Sequence, residues 1–387
     1  MTVAMIMAGG RSSRMRAGGV ADHKGLIEVL GVPLVERNVN TLLAAGFKNI
    51  VVAVAAGERA LQEFIESRCR RLAEARGAAL RCFVEREPLG TIGAVRTVLP
   101  EAEEVVVVNV DNLTTLDLRA MLLRHRAVHA SMTVAVHWEP FSIPYGEVEL
   151  DNGWVQEIHE KPVKHYRMSS GAYVVGPEAA SAFPAKGGIG APELFDRLKR
   201  AGGRIAAFEH ARRWVDVNDN DGVFKAEQMI LNDGTDYSGQ SDNPDHEVSA
   251  LLVHEAGRIW LRAPGVHTNR YSGLWGLPAY ENDPSSGVED AAAQVCEHSS
   301  SRASLFFSFD DLESHSGEFI RHHVFELNGR EYTPTGEGEW LDPGDCRDLR
   351  LSSPAKRTLA ILHRARVKRG WNGPVSVEMN EMAETGT

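Results

Sequence analysis

Strand-like and helix-like patterns alternate over the first part of the chain. The run "AEEVVVVNVDN" does not alternate between apolar and polar residues, which is typical of a central parallel strand. The stretch "PLVERNVNTLLAAGF" has apolar residues at helical spacing, and Gly46 marks its end. Such an order of strands and helices indicates βαβ units. We therefore predict an α/β fold with a doubly wound, mostly parallel sheet.

The composition changes in the middle of the chain. Residues 231–247, "LNDGTDYSGQSDNPDHE", are rich in Asp, Asn, Ser and Gly and have no periodic apolar residues, as in a linker. The stretch that follows, "VSALLVHEAGRIWLRAP", restarts with a strand, a Gly turn and a second strand. We predict two unlike domains, at 1–232 and 247–370, with a linker at 233–246 and a tail at 371–387.

Charge and hydropathy restrict the partners. A net charge of −11 argues against a broad nucleic-acid surface, although a local basic pocket is still compatible with a nucleotide. No apolar run reaches membrane-spanning length, and no leader pattern precedes the first strand. The cysteines have no CxxC spacing, which is typical of free thiols. These features predict a cytoplasmic protein with no nucleic-acid or membrane partner.

The first strand is followed by a glycine-rich, basic stretch, "MAGGRSSRM". Glycines let a backbone approach a ligand closely, and the amides of the following turn can face an anion. Arg11, Arg14 and, further on, Lys24 carry charges that could neutralise a polyphosphate. A plain turn with exposed cations accounts for the same residues, so both interpretations stay open at this point.

Two aspartates follow strand-like runs. Asp111 ends "EVVVVNVD" and Asp216 lies in "RRWVDVND". Functional groups of open α/β sheets lie at strand ends, and Mg²⁺ prefers hard carboxylate oxygens. These positions predict a shared metal site, while turn or helix-capping aspartates remain the alternative.

Five motifs in order carry a family resemblance. They are "MAGGRSSRM…HKGLIEVLGVPLVER", "EREPLGTIGAV", "PYGEVELDNGWVQEIHEKP", "SSGAYVVGP" and "RRWVDVNDNDGVFKAEQ". Over roughly Met1 to Ile230 the chain resembles nucleotidylyltransferases with the glycosyltransferase-A-like Rossmann fold. The first motif is similar to molybdenum cofactor guanylyltransferases, and the later ones to mannose- and heptose-1-phosphate guanylyltransferases. The resemblance implies transfer of a nucleoside monophosphate from an NTP to a sugar or cyclitol 1-phosphate, with GTP preferred and a homodimer as one option.

The resemblance also implies roles for individual residues. Those that would bind the nucleotide are Met7, Ala8, Gly9, Gly10, Arg11, Leu89, Gly90 and Thr91. Those that would act on the phosphates as catalytic groups are Arg14, Lys24 and Lys161. Those that would bind the sugar are Tyr145, Gly146, Glu160, Lys161 and Gly171. Asp111 and Asp216 would hold Mg²⁺.

Several positions depart from the family pattern. His23 replaces a proline, and Val110 and Asn218 replace glycines beside the two metal aspartates. Ser169 and Ser170 replace an Asn-Ala pair whose asparagine usually helps to hold the sugar. We expect an active enzyme with an altered acceptor pocket. A nucleotide-sugar sensor or regulatory subunit that has lost turnover is the non-enzymatic alternative.

Three stretches, "VSALLVHEAGRIWLRAP", "YSGLWGLPAYENDPSSGVEDAAAQVCEHSS" and "GEWLDPGDCRDLRLS", carry a second resemblance. Over residues 248–362 the chain resembles a Nudix domain, which implies an α+β fold. The Nudix helix normally carries clustered glutamates that hold the metal, but His298 and Ser299 stand where a glutamate pair is expected. Because serine cannot replace a carboxylate as a Mg²⁺ ligand, we predict no diphosphate hydrolysis. A Nudix-type hydrolase is therefore the weakest alternative. The domain could instead bind a nucleotide-sugar, pair subunits or shape the acceptor site.

Overall fold

The structure is a computed structural model. It describes residues 1–9, 23–211, 214–233, 245–265, 273–282, 303–312, 318–333, 336–346 and 349–369. Within these residues, none of the helices combines the length and the apolar composition that crossing a bilayer requires.

Strands and helices alternate up to residue 233. The strands are β1 (Thr2–Ala8), β2 (Glu28–Val29), β3 (Val32–Pro33), β4 (Asn49–Ala55), β5 (Ala79–Glu85), β6 (Glu104–Asn109), β7 (Asn112–Thr114), β8 (Met132–Ser142), β9 (Glu147–Asp151), β10 (Trp154–His159), β11 (Val163–Val175), β12 (Ile205–Glu209) and β13 (Trp214–Asp216). The helices are α1 (Leu34–Ala44), α2 (Arg59–Phe64), α3 (Arg70–Ala75), α4 (Leu118–Ala127), α5 (Ala191–Arg200) and α6 (Asn220–Asp233). A π-helical turn, Ile65–Cys69, joins α2 to α3.

A seven-stranded sheet forms the centre of this part, in the order β12-β8-β11-β6-β1-β4-β5. Neighbours in the run β6-β1-β4-β5 are parallel, whereas β11 is antiparallel to both β6 and β8. Apolar clusters cover both faces of the sheet, and β1 alternates between them, with Ile6 in one and Met5 in the other. Burial on both faces explains why β1, β4 and β6 are continuously apolar over most of their length. The predicted mixed α/β fold with a mostly parallel sheet is confirmed.

A two-stranded hairpin, β9–β10, stands apart from this sheet. Its turn, Asn152-Gly153, has left-handed φ values of 47° and 87°, as a two-residue hairpin turn requires. Asn-Gly is the dipeptide that this kind of turn favours, so the local sequence accounts for the hairpin.

The second part contains β14 (His246–Glu255), β15 (Arg258–Arg262), β16 (Ala279–Glu281), β17 (Ser304–Leu312), β18 (Phe319–Asn328), β19 (Gly338–Leu341) and α7 (Ser353–Arg369). The strands make a six-stranded sheet in the order β17-β18-β14-β15-β19, with β16 beside β14. The pair β14–β18 is parallel, and Leu252 and Leu251 of β14 contribute to apolar clusters on opposite faces.

Ordered elements extend into both ends of the stretch predicted as a linker. Helix α6 continues to Asp233, and β14 begins at His246, which pairs with Ile320 of β18. These elements therefore overlap the predicted linker, 233–246, only at its two end residues. Residues 234–244 lie outside the described residues.

Candidate functional site

A cleft of about 420 Å³ opens where the parallel strands β1, β4, β5 and β6 reach their carboxyl ends. Ligand sites of open α/β sheets lie at this edge. The predicted residues that line it are Met7, Gly9, Lys24, Gly90, Thr91 and Asp111. Gly10, Arg11 and Arg14 lie outside the described residues.

Lys24 begins a 3-10 turn, Lys24–Leu26, which His23 caps. The buried His23 ring accepts a hydrogen bond at Nδ1 from the Gly25 amide, at 2.9 Å. Histidine can therefore replace the proline of the family pattern, because it fixes the start of the turn with a side-chain bond. The Lys24 Nζ donates to Asp111 Oδ2 at 3.1 Å and also to Asn218 Oδ1.

Strand pairing brings the two aspartates together although they are far apart in the sequence. Strand β7 begins directly after Asp111, and it pairs with β13 so that Asn112 lies opposite Asp216. The Val217 amide then donates to the Asp111 carbonyl at 2.8 Å. A short antiparallel ladder thus holds both carboxylates at the same end of the site.

The Asp216 carboxylate has the environment of a cation ligand. Its Oδ1 is buried and accepts no hydrogen bond from the described residues. Burial, together with the neighbouring Asp111 carboxylate, raises the pKa of Asp216 to about 6. A buried oxygen without a donor, next to a second carboxylate, fits a hard divalent cation.

Asn218 has a place in this site that its sequence does not reveal. Its amide oxygen accepts from Lys24, and its amide nitrogen donates to Asp216 Oδ2. The side chain therefore connects the lysine to the second aspartate, a contact that the glycine of the family pattern cannot make. In the sequence, the only signal at Asn218 is its departure from the family pattern.

Val110 also lines the cleft, next to Asp111. Its side chain is buried in the core, and a Cβ built on Gly25 would lie 3.3 Å from Val110 Cγ2. The Val110 carbonyl accepts from Asn38 Nδ2 at 3.0 Å. The valine side chain therefore packs against the Lys24 turn.

Glu85, at the end of β5, is a buried carboxylate in the wall of the cleft that the sequence analysis missed. Its Oε2 accepts from the Leu89 amide at 3.3 Å, and its Oε1 has no hydrogen bond among the described residues. Burial raises the pKa of Glu85. A Cβ on Gly9 would come within 2.6 Å of this carboxylate, so the close approach requires glycine.

The loop that follows Glu85 borders the cleft. Leu89 is buried, and its carbonyl accepts from the Ile189 amide at 2.8 Å. Gly90 has a φ of 79°, and a Cβ there would lie 2.4 Å from the Ile189 carbonyl oxygen. Thr91 Oγ1 accepts from the Ala191 amide at 3.1 Å. The segment that contains Ile189 and Ala191 thus holds Leu89, Gly90 and Thr91 beside the cleft.

The predicted sugar-binding residues are outside the lining of this cleft. Gly146 and Glu160 are neighbours, since a Cβ on Gly146 would lie 3.3 Å from Glu160 Oε2. Tyr145 is 75% exposed, and Lys161 has a left-handed φ of 46° that non-glycine residues rarely adopt. Gly171 has a φ of 67° and lies against the Asn112 amide, next to Asp111.

The two serines that precede Gly171 have different surroundings. Ser170 is buried, and its hydroxyl is 2.9 Å from His137 Nδ1 and 2.8 Å from His210 Nε2. Its carbonyl accepts from Asn112 and from the Trp214 indole, at 2.7 and 2.8 Å. Ser169 is exposed, and its hydroxyl lies 3.3 Å from the Tyr173 hydroxyl. Ser170 therefore anchors the strand, which leaves Ser169 as the serine with solvent access.

Residues 3–233 match the nucleotidyl transferase family, which covers more than half of the chain. The chain belongs to this family. The family predicted from the five motifs is confirmed, and so is the assignment to an enzyme family of nucleotidyltransferases.

Among curated relatives, mannose-1-phosphate guanyltransferase beta-A of Xenopus laevis is 26% identical over 222 residues, which are 55% of this chain and 60% of the relative. Probable mannose-1-phosphate guanylyltransferase 3 of Oryza sativa subsp. japonica is 23% identical over 266 residues, 66% of this chain and 72% of the relative. The chain thus spans about 60% of the length of the Xenopus relative.

Solved structures also match. HddC from Yersinia pseudotuberculosis is 21% identical, with 59% of this chain and 100% of that chain covered and a TM-score of 0.46. A putative glucose-1-phosphate thymidylyltransferase from Bacillus anthracis is 20% identical, with 59% and 95% covered and a TM-score of 0.46.

Proposed function

We propose that the protein transfers a nucleoside monophosphate from an NTP to a sugar or cyclitol 1-phosphate, with release of pyrophosphate. The observation that carries the proposal is the convergence of Lys24, Asp111 and Asp216 beside a cleft at the carboxyl edge of the sheet. An ammonium group and two carboxylates in one place suit a reaction between two polyanions.

The chemistry needs little beyond charge and orientation. An oxygen of the acceptor phosphate attacks the α-phosphorus of the NTP in line, and the bond to pyrophosphate breaks. Because the attacking oxygen is already anionic, no general base is needed. Lys24 and Arg14 would hold the phosphates and stabilise the charge that grows on them. The carboxylates of Asp111 and Asp216 would hold Mg²⁺, which when bound supplies Lewis-acid neutralisation of the phosphate oxygens.

The nucleotide would lie in the cleft between two glycine-containing segments. Met7, Ala8 and Gly9 lie at the end of the first strand. On the basis of the sequence, we propose that Gly10 and Arg11 also contact the nucleotide. Leu89, Gly90 and Thr91 would border the base and the ribose from the other side. The positive φ of Gly90 and the close packing of Gly9 support backbone contact with the ligand at both places.

We propose GTP as the nucleotide, and the Glu85 carboxylate in the cleft wall supports this choice. Guanine presents two adjacent donors, N1–H and the N2 amino group, whereas the adenine edge pairs a donor with an acceptor. A carboxylate offers only acceptors, so the Glu85 oxygens in the cleft wall complement guanine. The names of the curated relatives point to the same base.

The acceptor would bind beside the hairpin β9–β10. Tyr145, Gly146 and Glu160 would contact its hydroxyls, and Lys161 would contact its phosphate. Gly171 would allow the acceptor to approach the sheet next to Asp111. The strained backbone at Lys161 supports a functional role there, because such strain clusters at ligand-binding sites.

Three further statements remain proposals. We propose domain limits at 1–232 and 247–370, a Nudix-like relationship for the second domain, and a cytoplasmic location. Support for the second domain comes from its separate six-stranded sheet. The replaced Nudix-helix residues, His298 and Ser299, lie outside the described residues.

The test is pyrophosphate release in the presence of Mg²⁺, with the common NTPs crossed against a panel of sugar and cyclitol 1-phosphates. We expect release that requires both GTP and one class of acceptor. Tight binding of a nucleotide-sugar without release from any pair would instead support the sensor, and hydrolysis of a nucleotide diphosphate without an acceptor would support the hydrolase.

A further inference from the structure

One hydrophobic cluster is shared by the two parts of the chain. Its members from the first part include Ile27, Val29, Leu30, Leu34, Val215 and Val217, and those from the second include Val248, Ala250, Leu252, Ala355, Leu359 and Leu362. Each of these side chains is at most 7% exposed. The second part is therefore packed onto the first through a common core.

The first part contributes to this core from the two segments that carry the site residues. The β2–β3 hairpin follows the Lys24 turn directly, and its residues enter the cluster from Ile27 onward. Val215 and Val217 flank Asp216, and α6 begins shortly after Asn218. The lysine and the second aspartate are thus each attached to a short segment whose apolar side chains lie in the shared core.

The tip of the β2–β3 hairpin has an unusual conformation. Leu30 has a φ of 49°, in the left-handed region that leucine rarely adopts, and it is only 1% exposed. Its amide donates to Glu227 Oε1 of α6 at 3.3 Å. Such a conformation persists only where the surroundings enforce it. Leu30 therefore connects the Lys24 segment to the Asn218 segment through α6.

Helix α7 of the second part closes over the same tip. Lys356 Nζ lies 3.2 Å from Glu28 Oε1, and a Cβ on Gly31 would lie 3.3 Å from Lys356 Cγ. From the first part, the buried Arg37 donates through Nη2 to the Val29 carbonyl at 2.5 Å. The hairpin is thus held on one side by its own domain and on the other by α7.

We propose that the six-stranded sheet of the second part and α7 together act as a positioning element for the transferase site, with Leu30 as the positioning residue through which they act. When α7 and α6 hold the hairpin, Lys24 stays within hydrogen-bond distance of Asp111 and Asn218. The proposal rests on the proposed function for the chemistry of Lys24, and its structural consequence is measurable without any turnover.

The experiment compares two leucine-to-alanine variants of the second part. Leu359→Ala opens a cavity in the shared cluster, whereas Leu251→Ala opens one on the opposite face of the same sheet. We measure backbone hydrogen exchange over residues 23–34, together with kcat and KM for pyrophosphate release. A second pair of variants, Lys356→Glu alone and Lys356→Glu combined with Glu28→Lys, tests the contact at the hairpin by charge reversal.

We expect Leu359→Ala to increase exchange over residues 23–34 and to lower kcat about tenfold or more, with the NTP KM changed less than kcat. Leu251→Ala should lower the stability of the protein but change neither hydrogen exchange over residues 23–34 nor kcat. Adding Glu28→Lys should restore the protection from hydrogen exchange that is lost in Lys356→Glu. Equal effects of the two leucine variants on exchange, or no effect of Leu359→Ala, would overturn the proposal. If the wild type releases no pyrophosphate, the proposed function fails, and exchange alone decides the positioning role.

Discussion

The proposed donor end and the proposed acceptor end of the site are built differently. At the donor end, Lys24, Asp111, Asn218 and Asp216 form a continuous chain of hydrogen bonds beside a cleft in the sheet. At the acceptor end, the β9–β10 hairpin exposes residues on both of its faces. The side chains of the proposed donor end are therefore held by one another, whereas those of the hairpin at the proposed acceptor end are mostly exposed to solvent. Substitutions should affect kcat at the first and the acceptor KM at the second.

The largest expected effect is that of Asp111→Asn. It removes one of two carboxylates that would hold the metal and also the ion pair with Lys24. We expect kcat to fall about 100-fold or more, because charge neutralisation is lost at the reacting phosphates. Pyrophosphate release measures this, with Asp151→Asn on the exposed hairpin as the matched control. Unchanged turnover would remove Asp111 from the mechanism and favour the sensor.

Asn218→Gly restores the residue of the family pattern and should nevertheless impair this enzyme. It removes the amide that accepts from Lys24 and donates to Asp216. Hydrogen bonds to charged groups contribute about 1.5–3 kcal/mol, so we expect kcat to fall about tenfold or more. Asn152→Gly is the control, because that turn already has a glycine-like φ of 47°. Activity at or above the wild-type level would contradict a bridging role for Asn218.

Glu85→Gln should reduce the preference for GTP over ATP about tenfold, because an amide presents one donor where guanine needs two acceptors. Competition binding of the two nucleotides measures it, with Glu101→Gln on the surface as the control. The affinity of the wild type for GTP should decline as the pH falls through the raised pKa of Glu85, and the variant should lack that step. A variant with undiminished GTP preference would show that another group reads the base.

Glu85→Gln should raise the stability of the protein at neutral pH, although it weakens the preference for GTP. A carboxyl whose folded-state pKa is raised stabilises the fold only at low pH, and this contribution is lost as the pH rises through that pKa. At neutral pH, Glu85→Gln should therefore have a higher Tm than the wild type. The difference should vanish as the pH falls toward the ordinary glutamate pKa of about 4.3. A lower Tm at neutral pH would mean that the Glu85 carboxylate is stabilised by its surroundings.

The smallest expected effect is that of Tyr145→Ala. Because this side chain is 75% exposed, its removal should leave the Tm unchanged. We expect the acceptor KM to rise about threefold to tenfold, as the loss of one contact implies, with the NTP KM unaltered. Trp154→Ala, at the outer end of the same hairpin and 76% exposed, is the control. A change in kcat alone would show that the acceptor end is organised like the donor end.

Local patterns determined much of the fold and the position of several site residues. Continuous apolar runs predict β6 and its place in a parallel sheet, and Asn152-Gly153 predicts the hairpin turn. The end of β6 predicts a functional aspartate at Asp111. Each of these signals depends on neighbours in the sequence, such as backbone conformation in a turn or burial along one strand. Residues 3–233 consequently indicate their family without any coordinates.

Tertiary structure decided which residues from distant segments of the chain come into contact. The pairing of β7 with β13 brings Asp216 to Asp111, and packing at the end of β5 buries the carboxylate of Glu85. The left-handed φ of Leu30 beside α7 likewise depends on packing between distant segments. Burial, an unpaired oxygen and an enforced φ are properties of surroundings that the chain creates only when it folds. A sequence pattern records which side chain stands at a position, but the free energy of its charge or conformation depends on partners that lie far away along the chain.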